Sequence, residues 1–147
     1  MNETLLERRT LLQPDSSAFV ADPDLLRVLE TRATPVFCRT ERLLFNQDEP
    51  VAGVYIIREG GATLTMHSFD GRPIFSIEAP PGSLLGLPAL ISDQPYSLTA
   101  IAHAGAKVSF VGRTEFLALM QAEPTLSLKM LKVLAAEVRT ARQALSQ

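Results

Sequence analysis

The spacing of hydrophobic residues along the chain changes twice. Near the N-terminus, Asp22 and Pro23 are typical of a helix N-cap and a first helical position, and a stripe of leucine and valine follows them. From about residue 35 to residue 111 the hydrophobic residues alternate with polar ones or form short runs bounded by Gly and Pro. Helical spacing returns from Thr114 onwards. The pattern therefore predicts a β-rich middle section between helices.

The clearest pair of strands is ATLTMHSFDGRPIFSIEA, residues 62–79. Its first half alternates apolar or small residues with polar ones, which predicts one buried face and one exposed face, with His67 on the exposed face. Asp70 and Gly71 predict a hairpin turn, because glycine accepts the positive φ that such turns require. Seven or eight short strands, separated by Gly or Pro, predict a β-sandwich or barrel rather than a parallel sheet.

Two helices are predicted at the C-terminal end. Thr114 is the expected N-cap of the first, EFLALMQAE, which has to end before Pro124 because the residue before a proline avoids helical backbone angles. Pro124 itself suits the first turn of a longer final helix. Apolar residues and one arginine recur along that helix at spacings of three and four: Leu128, Leu131, Ala135, Val138, Arg142 and Leu145. A second stripe beside them consists of Met130, Val133, Leu134 and Ala141.

The first of these stripes, called the outer stripe below, needs a partner. One stripe is enough to pack the final helix on its own domain, so we expect the outer stripe to form the interface of a homodimer. The alternative is a helix that is only half-buried on its own domain. Four basic residues of this helix and Glu137 are interpreted as a solvated face rather than as a surface that contacts DNA: Lys129, Lys132, Arg139 and Arg142.

Composition and charge narrow the class of protein. The chain has 147 residues, 46% hydrophobic and 20% charged, which is enough for one globular domain with a sizeable core. We place that domain at residues 21–147 and treat residues 1–20 as a peripheral segment containing a short amphipathic helix. The net charge of −2 gives no overall basic field for nucleic acid. The single cysteine, Cys38, fits the reducing cytoplasm, and the sequence contains no apolar run typical of a signal peptide or membrane span.

Little in the sequence predicts catalysis or a metal centre. Metal sites in β-barrel enzymes need two or three histidines with a carboxylate, whereas this chain has two histidines in all, His67 and His103, the second expected at a turn. A haem held by one histidine or by Cys38 is the remaining alternative. Walker-type phosphate loops, Gly-x-Ser-x-Gly motifs and paired catalytic carboxylates are absent. We expect neither an enzyme nor a bound cofactor or metal.

Three segments together resemble the cyclic-nucleotide-binding domain of the CRP/FNR superfamily. RLLFNQDEPVAGVYIIREGGATLTM, residues 42–66, is similar to the first strands of that domain. APPGSLLGLPALISDQPYSLTAIA, residues 79–102, is similar to its phosphate-binding cassette, and AKVSFVGRTEFLALMQAEPTLSLKMLKVLAAEVR, residues 106–139, to its last strand and helices. The resemblance implies a mainly β fold with flanking helices: a jelly-roll β-barrel, a small-molecule pocket inside it and a long dimerising C-terminal helix.

The cassette departs from the pattern of the family at two positions. In the family, an acidic residue binds the ribose and an arginine binds the phosphate of the cyclic nucleotide. The cassette glycine is matched by Gly86 and a following alanine by Ala89. The acidic position falls on Leu87, whose side chain accepts no hydrogen bond, and the arginine position falls on Tyr96, followed by Ser97. The resemblance therefore implies a sensor module with a degenerate cassette.

The missing arginine predicts weak nucleotide binding. Removing one member of a buried charge pair costs about 2–5 kcal/mol, or a factor of roughly 30 to several thousand in affinity. We therefore expect no micromolar binding of cyclic AMP or cyclic GMP. Three alternatives stay open: a pocket for an uncharged small-molecule ligand beside Tyr96, a filled pocket in a scaffold for a protein partner, and weak nucleotide binding through another arginine. The candidates for that arginine are Arg39, Arg42, Arg58 and Arg72.

The end of the sequence bears on DNA binding. Transcription factors of the superfamily carry a helix-turn-helix domain after the long helix, and this sequence ends at Gln147, a few residues beyond the predicted helix. We therefore expect a sensor domain without a helix-turn-helix and without nucleic-acid contacts.

Overall fold

Two antiparallel four-stranded sheets form the centre of the protein. This computed structural model describes residues 16–145. The strands are β1 (Thr34–Phe37), β2 (Arg42–Phe45), β3 (Gly53–Glu59), β4 (Ala62–His67), β5 (Pro73–Ala79), β6 (Leu84–Leu85), β7 (Thr99–Ala102) and β8 (Lys107–Gly112). Their orders are β1-β8-β3-β6 and β2-β7-β4-β5. The predicted mainly β fold is confirmed, but the two sheets are not closed into a barrel.

Among residues 16–145, four α-helices and one short 3-10 helix flank the sheets. They are the 3-10 helix Ser16–Phe19, α1 (Pro23–Glu30), α2 (Leu87–Ser92), α3 (Arg113–Ala122) and α4 (Leu126–Leu145). The Asp22 side chain accepts hydrogen bonds from the backbone N–H groups of Asp24 and Leu25, and Pro23 is the first helical residue. The predicted start of α1 is confirmed.

The hairpin of β4 and β5 forms as the alternating pattern predicts. Leu64 pairs with Ile77 across the two strands, and both side chains are buried. Gly71 has a φ of +86° in the connecting turn, a conformation that side chains with a Cβ rarely adopt. His67 is half-buried rather than exposed. The side-chain amide of Gln47 lies beside it, accepts the backbone N–H of His67 and donates to the carbonyl of His67.

The two faces of β3 supply two separate cores. Tyr55 and Ile57 point between the sheets, towards a core that includes residues from both. Val54 and Ile56 point the other way, into a second core formed with α1, α3 and α4. Because successive strand residues face opposite sides, one strand of seven residues joins the sandwich to its layer of helices.

The core begins earlier in the chain than residue 21. Ala18 and Phe19 are buried in the core between the sheets, and Val20 forms a β-bridge with Ser83. These residues therefore belong to the domain and not to a peripheral segment. The amphipathic helix predicted within the first thirteen residues lies outside the described part of the chain.

The two C-terminal helices differ from their predicted starts. The cap of α3 is Gly112 and not Thr114, because the N–H of Arg113 donates to the carbonyl of Ala52 and the helix begins there. α3 ends before Pro124 as predicted. Pro124 precedes α4 instead of lying in its first turn, since its carbonyl accepts the N–H of Ser127 in the turn that connects the helices.

Candidate functional site

The turn into α2 is built around Gly86. This residue has a φ of +93°, and its carbonyl accepts the N–H of Leu90 to begin the helix. A Cβ placed on it would lie 3.0 Å from Cε1 of Tyr96 and 3.2 Å from the carbonyl oxygen of Gly53. Both the backbone angle and the close approach of the tyrosine ring therefore require glycine here.

Tyr96 is held by its backbone and by its hydroxyl group. Its N–H donates to the carbonyl of Glu49, and its carbonyl accepts the N–H of Asp48, so the loop between β2 and β3 fixes its position. The hydroxyl donates to the carbonyl of Gly53 at 2.7 Å. It also accepts the N–H groups of Ala52 and Gly53, at 3.1 and 3.2 Å. The tyrosine thus ties the cassette to the start of β3.

The ring of Tyr96 fills most of the cassette interior. It stacks on Phe45 with ring centroids 4.0 Å apart and an interplanar angle of 17°, and the residue is only 3% exposed. In the cavity that remains, the centre of a water-sized sphere can occupy a volume of only about 20 Å³. One water molecule needs roughly 10–15 Å³ on this measure, so the cavity has room for about one. The cavity as it stands is too small for a cyclic nucleotide.

The structure brings four of the five predicted cassette residues to this cavity. Gly86, Ala89, Tyr96 and Ser97 line it, with Phe19, Phe45, Leu64, Leu85, Pro88, Leu98 and Glu137. Leu87 does not, because its fully buried side chain lies in the second core, beneath the helices. The residue in the acidic position of the family therefore packs away from the cavity, and its neighbour Pro88 takes part in the lining.

Glu137 of α4 is a site residue that the sequence analysis assigned wrongly. It was placed on a solvated face, but it is half-buried and is one of the residues that line the cassette cavity. Its Oε2 is buried without a hydrogen-bond partner in the described part of the chain. Burial raises the pKa of this carboxyl to about 8. Glu137 therefore carries a proton at neutral pH, within a cavity that the family uses for an anion.

None of the four candidate arginines lines the cassette cavity. Arg58 lies 4.0 Å from Glu30, and Arg72 lies 3.4 Å from Asp70. Arg42 donates to the carbonyl of Phe37 at 2.9 Å and lines a different cavity. Arg39 is exposed and is not among the residues that line the cassette. The residues around Tyr96 thus supply no cation for a phosphate.

The histidines and the cysteine are engaged in contacts away from the cassette. Nε2 of His103 lies 2.9 Å from both Thr63 Oγ1 and Glu78 Oε2. The carbonyl of His103 accepts the N–H of Ala106, so this residue begins the turn after β7 and its predicted place at a turn is confirmed. Cys38 is buried and unpaired, and burial raises the pKa of its thiol. Within residues 16–145, no group of three or more His, Cys, Asp or Glu is arranged to hold a metal ion.

A comparison with known families identifies the architecture. The family model of the cyclic nucleotide-binding domain matches residues 35–123, which include both sheets and the cassette. The chain belongs to this family. The resemblance inferred from the cassette and from the order of elements is confirmed. No curated protein sequence gives a significant match to the chain.

Three solved structures of bacterial proteins share this fold. A catabolite activator protein from Thermus thermophilus superimposes with a TM-score of 0.74 at 20% identity, over 85% of this chain and 59% of that one. The sensor domain of the transcriptional regulator DNR from Pseudomonas aeruginosa gives 0.64 at 17% identity, over 97% and 91%. A cyclic nucleotide-binding-like protein from Brucella abortus is 30% identical over 68% of this chain and 85% of its own, with a TM-score of 0.55.

Two further observations concern the cyclic nucleotide-binding domain as a whole. This chain spans about three fifths of the length of the Thermus protein. Among the helices of residues 16–145, none combines the length and the apolar character needed to cross a membrane.

Proposed function

We propose that this cyclic nucleotide-binding domain is a regulatory module whose cassette no longer binds cyclic AMP or cyclic GMP at micromolar affinity. The observation that carries the proposal is the position of Tyr96. Its ring occupies the cassette interior, and its hydroxyl makes three hydrogen bonds to the start of β3. A nucleotide has to break these bonds and the stacking on Phe45 before it can enter.

The lack of a cation among the residues that line the cavity also disfavours an anion. The family places an arginine where Tyr96 lies, and no arginine of the described chain lines this cavity. Glu137 instead presents a carboxyl group, which near a bound phosphate would have to stay protonated. The missing cation weakens phosphate binding by about 2–5 kcal/mol.

The filled cavity favours one of the three alternatives left open by the sequence. A preformed cavity beneath Tyr96 would support a ligand pocket, and an arginine directed at Ser97 would support residual nucleotide binding. The cavity beside Tyr96 has room for about one water molecule, and no arginine of the described residues lines it. We therefore favour a scaffold in which the cassette is a packed structural unit and regulation passes through contacts with protein.

The outer stripe of α4 is the surface we assign to those contacts. Leu126, Met130 and Val133 bury the inner side of the helix against its own domain. Leu128, Leu131 and Val138 of the outer stripe are 61%, 59% and 50% exposed. Large aliphatic side chains at a helical spacing are costly to leave in water, so we propose that a second copy of the chain covers them in a homodimer.

Nucleotide titration tests the first part of the proposal. We expect no change in melting temperature with 1 mM cyclic AMP or cyclic GMP, and no saturable heat in calorimetry. A ligand at about 100 times its dissociation constant would stabilise the fold by roughly 2.7 kcal/mol. Adenosine, which lacks the phosphate, is the matched control. A low-micromolar isotherm with either cyclic nucleotide would overturn the proposal.

Sedimentation tests the dimer. We expect a dimer at tens of micromolar, and a monomer for Leu131→Glu, which places a charge in the middle of the outer stripe. Thr114→Glu, on the exposed side of α3, is the control and should leave the dimer intact. A monomeric parent protein at that concentration would contradict the assignment of the outer stripe.

A further inference from the structure

A second cavity lies where the two sheets are left open. β1 is an edge strand of one sheet and β2 is an edge strand of the other. In the cavity between them, the centre of a water-sized sphere can occupy a volume of about 240 Å³. The polar residues of its lining are Thr34, Arg42 and Tyr55, and the apolar ones include Val36, Leu43 and Phe110. Unlike the cassette, this cavity has space for a small organic molecule.

Arg42 gives the second cavity a positive charge with unused hydrogen-bond donors. One terminal nitrogen donates to the carbonyl of Phe37 at 2.9 Å. No acidic side chain of the described residues lies within ion-pair distance of Arg42, whereas Arg27, Arg32 and Arg113 each have an acidic partner. A guanidinium carries five N–H donors, so most of those of Arg42 are available to a ligand.

Tyr55 provides a second donor on the same lining. Its ring is half-buried against Phe110, with centroids 4.9 Å apart, and no protein group of the described chain bonds its hydroxyl. Burial is the main cause that raises the pKa of this hydroxyl to about 12. The hydroxyl therefore keeps its proton throughout the physiological range and can donate to an anion.

We propose that this cavity binds a small carboxylate with an apolar body, the carboxylate on Arg42 and Tyr55 and the apolar body against Val36, Leu43 and Phe110. A carboxylate matches the planar fork of a guanidinium with two parallel hydrogen bonds. The single arginine balances a single negative charge, which favours a carboxylate over a phosphate monoester with nearly two. Leu43 is 49% exposed at the mouth of the cavity, where an apolar body would cover it.

A row of neighbouring aromatic rings connects the second cavity to the cassette. Tyr55 lies 5.8 Å from Phe45, and Phe45 lies 4.0 Å from Tyr96, both measured between centroids. Tyr55 and Tyr96 are the two tyrosines of the chain, which has no tryptophan. Tyrosine fluorescence therefore reports on this row of rings, and Tyr96→Phe leaves Tyr55 as the single fluorophore.

The experiment titrates hexanoate into the Tyr96→Phe variant and follows tyrosine emission. We expect a saturable change with hexanoate, and binding at least tenfold weaker with hexanamide, which has the same size but no charge. Inorganic phosphate at the same concentration should leave the emission unchanged. Thermal unfolding of the parent protein with hexanoate gives an independent measurement that does not depend on the Tyr96 substitution, and we expect a rise in melting temperature.

Two arginine variants locate the site. Arg42→Gln should weaken hexanoate binding at least tenfold, whereas Arg39→Gln, which removes a nearby arginine outside the cavity, should leave it unchanged. Equal binding of hexanoate and hexanamide, equal loss in both arginine variants, or saturation by phosphate would each overturn the proposal. So would the absence of both the emission change and the rise in melting temperature.

Discussion

Replacing Glu137 with glutamine should make the stability of the protein less dependent on pH. Oε2 of Glu137 is buried without a hydrogen-bond partner among the described residues, and burial raises the pKa of this carboxyl from 4.5 to about 8. Glutamine has nearly the same shape and carries no charge at any pH. The variant therefore removes the cost of keeping this proton bound and preserves the packing of α4.

The sign of the effect follows from the protons bound in each state. Between pH 4.5 and pH 8 the folded protein holds the Glu137 proton and the unfolded chain has lost it, so the free energy of unfolding falls as the pH rises. Each pH unit in this range lowers the free energy of unfolding by about 1.4 kcal/mol, so the protein loses roughly 3 kcal/mol of stability between pH 4.5 and pH 7. Below pH 4.5 both states are protonated and the loss disappears.

Urea unfolding at half-unit steps from pH 4.5 to pH 9 measures this effect. We expect equal stabilities of the parent protein and Glu137→Gln at pH 4.5, and a variant that is more stable by about 3 kcal/mol at pH 7. Subtracting the free energy of unfolding of the parent protein from that of the variant at each pH cancels the contributions of other carboxylates. One of these is Asp22, whose pKa is lowered by its hydrogen bond to Lys129. Glu123→Gln, an exposed glutamate between α3 and α4, is the control and should follow the parent protein. A difference between parent and Glu137→Gln that stays constant across the range would refute the reasoning.

Three further substitutions test the packing of the cassette, each by urea unfolding at pH 6. Tyr96→Phe removes the hydroxyl that bonds the N–H and carbonyl of Gly53 and should cost about 1–3 kcal/mol, because these buried groups lose their partner. Gly86→Ala should cost about 1–3 kcal/mol through its positive φ and its contact with the Tyr96 ring. Leu87→Ala should cost about 2–5 kcal/mol, because Leu87 is fully buried in the second core. Ser97→Ala, at an exposed cavity position, should change stability by less than about 0.5 kcal/mol. A Leu87→Ala cost as small as that of Ser97→Ala would show that Leu87 lies outside the core.

The sequence predicted the elements whose signals are local. Asp22 followed by Pro23 marks the start of α1, because a side chain of this kind bonds the first free N–H groups of a helix. Asp70 and Gly71 mark the hairpin of β4 and β5 for a similarly local reason. The cassette glycine at residue 86 was also predictable, since a glycine before a short apolar helix is characteristic of the family it resembles.

The start of α3 was missed because its cause lies elsewhere in the chain. Thr114 is a good N-cap by type, but the N–H of Arg113 already has a partner in Ala52, on the loop before β3. That contact joins residues 61 positions apart (113 minus 52) and no local pattern contains it. The position of Ala18 and Phe19 in the core is a similar case, because residues of both sheets surround them.

The sequence and the tertiary structure each decided a part of the chemistry of the cassette. The sequence by itself places Leu87 and Tyr96 at the positions where the resemblance to the family leads us to expect the acidic residue and the arginine. Only the tertiary structure decided what occupies their place. Tyr96 fills the cavity because the start of β3 satisfies its hydroxyl, and Leu87 turns into the other core. Glu137, 41 residues further along the chain than Tyr96 (137 minus 96), reaches the same cavity because α4 packs across it, and the pKa of a carboxyl depends on that burial and not on its neighbours in sequence.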